Sequence, residues 1–411
     1  MPLPFKSRPR LLDNRILAER RRYFLKKKLN NSTVYKQQYT EFVQGMIIDG
    51  HAELVTQPAK LGEVHYLPHH GVYHPKKADK LRVVFDCSAK FLEKSLNDFL
   101  LSGPDLTSSL FGVLCRFRHK PVAIMCDIQK MFHQFHVAVE DRDYLRFLWW
   151  DKGDTSTRAQ EYRMNVHLFG AASSPCCANF ALKHLSKMYE NLYPEAAKFL
   201  QQNFYVDDGI TSVDSASEAV SLIKEMRDLC SQGGLHLHKF VSNNHTVLES
   251  ISVEDRAIEM QTVDLSKDEV PVERTLGMQW CVGTDTFTFQ FQGKDQLNTR
   301  RGILSTVASV YDPLGLISPF VLEGKSILQE MCKRGVQWDD FISEDLQPRW
   351  ERWKLDLQNL KEIHISRCYK PAELCPVIST ELHHFSDEST GGYMESARTY
   401  ALSVMSMYTA V

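Results

Sequence analysis

Asp127, Asp207 and Asp208 are the residues of this sequence whose type and placing could do chemistry. Asp127 follows the short apolar run Val122–Cys126, which reads as a buried strand with a carboxylate at its C-terminal end. Asp207 and Asp208 precede Gly209 at the junction of two strand-like runs, 203–206 and 209–213, and an Asp-Gly at such a junction signals a hairpin. Carboxylates packed together repel one another unless cations neutralise them. Hard oxygen ligands select Mg²⁺ or Mn²⁺, and two such ions can clamp the attacking and leaving oxygens of an in-line phosphoryl displacement. An arbitrary Asp-Asp-Gly is most often a plain turn. The flanking Phe204-Tyr205-Val206 and the separate strand-end Asp127 favour the catalytic reading.

The surrounding elements must bring these carboxylates together. Residues 144–150 and 161–168 look like paired strands around a polar loop containing Lys152-Gly153-Asp154. Ser174 as N-cap and Pro175 at the first helical position open a helix that runs to about Glu190. Ser215-Ala216-Ser217-Glu218 reads as a capping box. The helix behind it sets Ala219, Leu222, Ile223, Met226, Leu229 and Cys230 on one stripe and stops at Gly233-Gly234. Leu235, Leu237 and Val241 begin another strand, with His236 and His238 on its other face. Strand, helix, hairpin, helix, strand is an α+β, ferredoxin-like plan with helices on one side and an open face for a substrate. Further on, Arg274–Val282 and Thr286–Gln292 read as strands, and Arg300–Tyr311 and Ser318–Arg334 as helices separated by Asp312-Pro313-Leu314-Gly315. Leu382–Ser386 reads as a strand leading to Asp387.

Composition excludes several classes. In 411 residues, 43% hydrophobic and 24% charged composition rules out wholesale disorder. No apolar run is long enough for a membrane span, and no secretory signal is visible, so an intracellular location, cytoplasmic or nuclear, is expected. The ten cysteines show no CxxC pair and read as reduced thiols. Net charge is −2 overall, but residues 1–40 hold eleven Lys/Arg against two acids, a net +9. A basic leading segment can hold phosphate by counterion release, or can be a solvated helix face over Arg15–Leu29.

Tyr205-Val206-Asp207-Asp208 is the tetrapeptide of reverse transcriptases, and several ordered stretches resemble the retroelement enzymes. Asp127-Ile128-Gln129-Lys130-Met131-Phe132 looks like their first catalytic motif, 167–175 like their template grip, 234–239 like their fourth motif, and 275–280 like their primer grip. Residues 69–75, 81–90, 95–97, 301–305 and 309–319 point to the BEL/Pao class of long-terminal-repeat retrotransposons. The resemblance covers about residues 10 to 390 of this sequence, which is expected to be a slice of a polyprotein. It implies a right-hand polymerase with a ferredoxin-like palm, fingers, a thumb/connection and a truncated ribonuclease H start. It further implies that Asp127, Asp207 and Asp208, with the carbonyl of Ile128, ligate two Mg²⁺ or Mn²⁺ ions. Arg82 would grip the incoming triphosphate, Phe132 would exclude a ribose 2′-OH, Gly170 would allow close approach of template or nucleotide, and Lys239 would sit near the triphosphate as a proton donor. Phe132 on an apolar strand, Arg82 and Lys239 also admit plain structural or surface roles. The implied partners are an RNA or DNA template, a primer and deoxynucleoside triphosphates, with no membrane.

The expected organisation is a basic helical segment over 1–50, fingers and palm over 51–262, a thumb/connection of Pao type over 263–376, and a truncated ribonuclease H-like start over 377–411. Asp387 resembles the first acid of ribonuclease H, but the likeness is expected to stop at Met394, leaving that activity absent or broken. The leading reading is RNA-directed DNA polymerase. An inactive remnant that only binds nucleic acid, and a two-metal nuclease acting on RNA–DNA hybrids, stay open beside it.

Overall fold

The structure, a computed structural model, describes residues 1–57, 62–74, 77–261, 272–289, 296–370, 377–389 and 392–403. The chain opens with helices α1 (Arg15–Asn31) and α2 (Thr33–Ile48), strand β1 (Ala52–Leu54) and the hairpin β2 (His69–His74) with β3 (Lys77–Phe85). Short helices α3 (Leu96–Phe99) and α4 (Leu110–Phe117) lead into β4 (Val122–Ile128), followed by β5 (Arg146–Trp149) and β6 (Gln160–Met164). Then come α5 (Ser174–Met188), α6 (Pro194–Gln202), the hairpin β7 (Phe204–Tyr205) with β8 (Asp208–Val213), α7 (Ala216–Gln232), β9 (Leu237–Ser242) and α8 (His245–Glu249). The last part holds β10 (Val272–Thr275), β11 (Met278–Cys281), β12 (Thr286–Thr288), α9 (Arg300–Ala308), α10 (Ser318–Lys333), α11 (Gln347–Asn359), β13 (His364–Ser366), β14 (Val377–Ser389) and β15 (Gly392–Ser403).

Two compact units form, each assembled from separated stretches. One comprises Met1–Thr107, Ile128–Gln201 and Glu225–Leu237, the other Ser108–Asp127, Gln202–Lys224 and His238–Val411. In the first unit, Leu25, Leu29, Tyr35, Tyr39 and Val43 of α1 and α2 join Phe85, Phe147, Trp149 and Tyr162 in one buried core. Tyr39 stacks on Trp149 with ring centroids 5.1 Å apart. His69 is buried here: its Nε2 donates to the Leu148 carbonyl at 3.1 Å and its Nδ1 accepts from the Tyr39 hydroxyl. Burial pushes its pKa down to about 4, so the ring is a neutral core group.

In the second unit the strands lie in the order β7-β8-β4-β9. Taken in chain order, that is second, third, first, fourth, the ferredoxin-like arrangement. Strand β4 is buried nearly throughout, as its apolar run requires. Ala123 and Met125 share a face with Ile210, and this face packs against Val113, Leu114 and Phe117 of α4 and against Trp280 and Phe287. The face expected to stand open is therefore covered along most of its length. Helix α7 is closed just past its last residue, Gln232, by Gly234, whose φ of +70° lets Leu235 N–H reach the Cys230 carbonyl at 2.9 Å. At its start Glu218 N–H donates to Ser215 Oγ at 3.2 Å, but the Glu218 carboxylate accepts from Asp214 N–H at 3.0 Å, one residue before the position of a true capping box.

Further elements differ from the sequence expectation. Arg274–Val282 is not one strand: Leu276 and Gly277, at φ +50° and +88°, form a two-residue turn that makes β10 and β11 an antiparallel hairpin. Helix α5 begins with Ser174 inside it, so the N-cap is Ser173, one residue earlier. The predicted strand Leu382–Ser386 is longer, and β14 pairs along its length with β15, setting Asp387 opposite Met394.

One side chain ties the second unit to β4. Arg367, wholly buried, follows β13. Its Nε donates to Asp285 Oδ1 at 2.6 Å, and its Nη2 to Asp285 Oδ2 at 2.8 Å and the Pro121 carbonyl at 2.7 Å. Its Nη1 donates to the carbonyls of Phe117 and, at 3.0 Å, Lys120. All five guanidinium N–H groups are thus used, which a lysine could not reproduce. The carbonyl acceptors lie on the corner between α4 and β4, and Asp285 stands just before β12. Arg367→Met removes the cation from Asp285, which keeps only Trp280 Nε1 among its described side-chain donors, and takes a donor from each of these carbonyls. Its expected cost is about 3 kcal/mol, read as a lowered urea midpoint at unchanged slope. A midpoint within experimental error of the parent would show that the corner holds without it.

Candidate active site

The register of β4 against β8 builds the site. Asp127 stands directly opposite Asp208 in this antiparallel pair, so both side chains leave the same face of the sheet. Asp207 occupies the turn just before β8. Pairing of Tyr205 with Asp208 confines the turn to Val206 and Asp207, so Asp208 and Gly209 already belong to the strand rather than to the junction expected from the sequence. Val206 carries the positive φ, +61°, while Asp207 does not. A two-residue turn with φ positive only at its first position is of the II′ kind, which prefers glycine there. A β-branched residue at that position stores on the order of 1–3 kcal/mol of strain.

The electrostatics follow from this crowding. Burial, then the charges of Asp207 and Asp127, push the Asp208 pKa up to about 7, against a smaller lowering by Lys239. Asp127 is met by two consecutive residues of β9. Lys239 Nζ donates to its Oδ2, and His238 Nε2 lies 3.6 Å from its Oδ1. Neighbours on a strand normally point to opposite faces. The left-handed backbone of Lys239, φ +52°, breaks that alternation and lets both side chains reach one carboxylate. His238 was legible only as a residue facing away from the core. The alternation of His236 and His238 around Leu237 was its signal.

Among the described residues no three Asp, Glu, His or Cys side chains form a ready cage for a metal ion. The charge distribution nonetheless fits a divalent cation. Three carboxylates share one strand end, and burial together with the other two carboxylates pushes the Asp208 pKa up to about 7, a repulsion that a cation would relieve. An ammonium, that of Lys239, partners Asp127.

Ile128, which follows Asp127 on β4, has a buried side chain. Arg82, Phe132 and Gly170 belong to the first unit. Arg82 is exposed on β3 opposite Val72. Phe132 lies on a short 3₁₀ turn, Met131–Gln134, not on an apolar strand. It is 5% exposed, with its ring edge-to-face on Phe169 at 4.4 Å between centroids. Gly170 has φ +106°, and a Cβ there would stand 2.6 Å from the Phe85 carbonyl oxygen. The close approach that requires this glycine is made by the chain's own backbone.

Three further side chains hold loops in place, each within its own unit. Asn97 Nδ2 donates to the Gly170 carbonyl at 2.9 Å and its Oδ1 accepts from Ala172 N–H at 2.8 Å, fixing that loop from a distant stretch. In the second unit the Tyr311 ring packs on the β10–β11 turn, where a Cβ on Gly277 would meet its Cε1 at 2.6 Å. The Asp312 carboxylate next to it accepts from Leu316 and Ile317 N–H at 2.9 and 2.8 Å, shaping the Asp-Pro-Leu-Gly turn.

Residues 74–240 match the family described as reverse transcriptase (RNA-dependent DNA polymerase). Residues 299–406 match the Pao retrotransposon-like RNaseH-like domain, so that likeness continues past Met394. No curated protein matches the chain. Among solved structures it is similar to the foamy viral protease-reverse transcriptase dRH in complex with double-stranded DNA, at 12% identity and a TM-score of 0.58, over 98% of this chain and 58% of that one. The fold is thus that of a right-hand polymerase, α+β, and this chain spans somewhat over half the length of that relative. Among the described residues no helix is long and apolar enough to cross a membrane.

The raised pKa of Asp208 has a signed consequence. Unfolded, the carboxyl loses its proton near 4; folded, it keeps it to about 7. Between those values the folded state binds more protons, so this group costs stability increasingly as pH rises. In EDTA, Asp208→Asn should raise Tm by several degrees at pH 8 and by little at pH 4. An equal gain at both pH values in thermal melts would separate the effect from this titration.

Proposed function

We propose, from the premise that the chain is the reverse transcriptase region of a BEL/Pao-class retrotransposon polyprotein, that it copies RNA into DNA by adding deoxynucleotides to a primer 3′-OH. The observation that supports this most directly is the opposition of Asp127 and Asp208 across β4 and β8, with Asp207 at the adjoining turn, inside the matched segment 74–240. In this reading Asp127, Asp207, Asp208 and the Ile128 carbonyl hold two Mg²⁺ or Mn²⁺ ions. Bound there, the ions supply charge neutralisation and Lewis-acid stabilisation of the attacking and leaving oxygens.

The chain's own groups do the rest by position and charge. The carboxylates fix where positive charge can gather. Lys239, released from Asp127, holds a proton at Nζ for the leaving pyrophosphate. Arg82 presents a planar fork to the triphosphate. Phe132, held rigid by Phe169, excludes a 2′-hydroxyl by filling its place. Asn97 keeps the Gly170 loop in one conformation beside the template. Template, primer and deoxynucleoside triphosphates are the partners in this scheme.

Oligo(dT) extension on a poly(rA) template with Mg²⁺ or Mn²⁺ tests the reading. Asp127→Asn and Asp207→Asn should each lower the rate by about three orders of magnitude or more, on the order of 4 kcal/mol in the barrier, with unchanged circular dichroism. Extension near the parent rate by either variant would sink the assignment.

Phe132→Val should admit ribonucleotides, with the ratio of ribo- to deoxynucleotide incorporation rising about ten-fold or more, a shift of ~1.4 kcal/mol. An unchanged ratio would leave Phe132 as a packing residue.

A further inference from the structure

Helix α1 turns two opposite faces to its surroundings. Ala18, Leu25 and Leu29 are buried. Ile16, Tyr23 and Phe24 are 69%, 54% and 56% exposed, and the exposed Arg20, Arg21, Lys27 and Lys28 alternate with them. At 100° per residue, Ile16, Arg20, Tyr23, Phe24 and Lys27 fall on one stripe, with Arg21 and Lys28 along its flank.

A solvated basic face has no use for two bare rings, and an apolar docking face would not carry four cations. The rings stand edge-to-face, 5.8 Å between centroids. Lys27 Nζ lies 4.6 Å over the Tyr23 ring and Lys28 Nζ 4.4 Å over the Tyr35 ring. Among the described residues none of Arg20, Arg21, Lys27 and Lys28 makes an ion pair. The helix's acid, Glu19, is paired with Arg15 at 3.1 Å. Beside Phe24 opens a cleft of ≈ 240 Å³ whose two cations, Arg21 and Lys28, come from the helix itself and whose far wall adds Tyr35, His70 and one acid, Asp86.

We propose that this face of α1 with its adjoining cleft is a binding strip for single-stranded nucleic acid. Tyr23 and Phe24 stack on unpaired bases, and Arg20, Arg21, Lys27 and Lys28 neutralise the phosphates. Charge selects the polyanion: residues 1–40 carry a net +9 in a chain of net −2. The exposed rings select the single strand, because a duplex hides the base faces they would cover. The strip deepens the polymerase reading only in the choice of polymer, since a nucleic-acid enzyme is where such a ligand is found.

Fluorescence anisotropy with labelled oligo(dT)₂₅ and with a blunt 25-base-pair duplex, across a salt series, tests it. Tyr23→Ala with Phe24→Ala should weaken oligo(dT)₂₅ binding roughly ten-fold or more and duplex binding less than two-fold. Replacing Arg20, Arg21, Lys27 and Lys28 by Gln should flatten the plot of log affinity against log salt by about 0.7 for each phosphate no longer neutralised. These side chains are exposed, so the charge variant tests the strip even if the ring variant misfolds. Unchanged oligo(dT)₂₅ affinity and slope would overturn the proposal. So would equal losses on single strand and duplex, or a change only in self-association by sedimentation, which would make the face a protein contact. The poly(rA) extension assay separates the two readings. Ring-dependent binding without any extension by the parent would sink the polymerase and keep the strip. Normal extension with ring-independent binding would sink the strip alone.

Discussion

Like-charge repulsion at one strand end is the constraint around which the second unit is arranged. Asp127, Asp207 and Asp208 are brought together by backbone register, and nothing in their own chemistry favours the meeting. The frame must therefore be stiffer than the repulsion is strong. Strand β4 meets this by being buried nearly throughout, and α4 with Trp280 and Phe287 presses on the face from which the acids emerge. Arg367 anchors the corner from which β4 starts, and Asp285 is itself held by Trp280 Nε1 at 2.9 Å. The cost of crowding then appears where it can be used, in a carboxyl that holds its proton to about 7 and in two left-handed residues, Val206 and Lys239.

Those two residues work in opposite senses. Val206 tightens the hairpin so that Asp207 leaves the turn and Asp208 the strand, giving adjacent carboxylates different directions. Lys239 does the reverse, letting neighbours that should diverge converge on Asp127. Both sit where glycine would be easier, and strain of this sort persists only where the surroundings over-determine it.

Much of this arrangement is legible in the order of the amino acids. The carboxylates, the apolar strand before Asp127, the stop of α7 at Gly234 and the order of the palm strands all follow from local pattern, because period and turn chemistry act over a few residues. What escapes such a reading is either a single conformational choice or a long-range contact. Gly277 within an otherwise strand-like run hides a turn, since Leu276 beside it gives no hint of a positive φ. The register that ends the hairpin at Val206 rather than at Gly209 is set by pairing, not by the Asp-Gly signal. Gly170 is legible as a position of close approach, but its neighbour, the Phe85 carbonyl, lies far back in the sequence. Phe132 reads the same by composition whether it packs or gates; the 3₁₀ turn that carries it follows from a left-handed Lys130. The roles of Arg82, Phe132, Gly170 and Lys239 toward a nucleotide rest on the family likeness and on chemistry, and stay proposals.

Arg367 reaches the Phe117 carbonyl across 250 positions of chain. A ribosome adding about 5–20 residues per second needs roughly 12–50 s to cover that distance. For that interval the acidic strand has been made but the group that secures its entry has not. The palm therefore matures late, after the segment beyond α11 has emerged, and its edges need protection from premature pairing meanwhile. Chain cleavage is constrained in the same way: a cut on the N-terminal side of Arg367 would part the strand from its anchor, so a fragment that keeps this corner has to end further along.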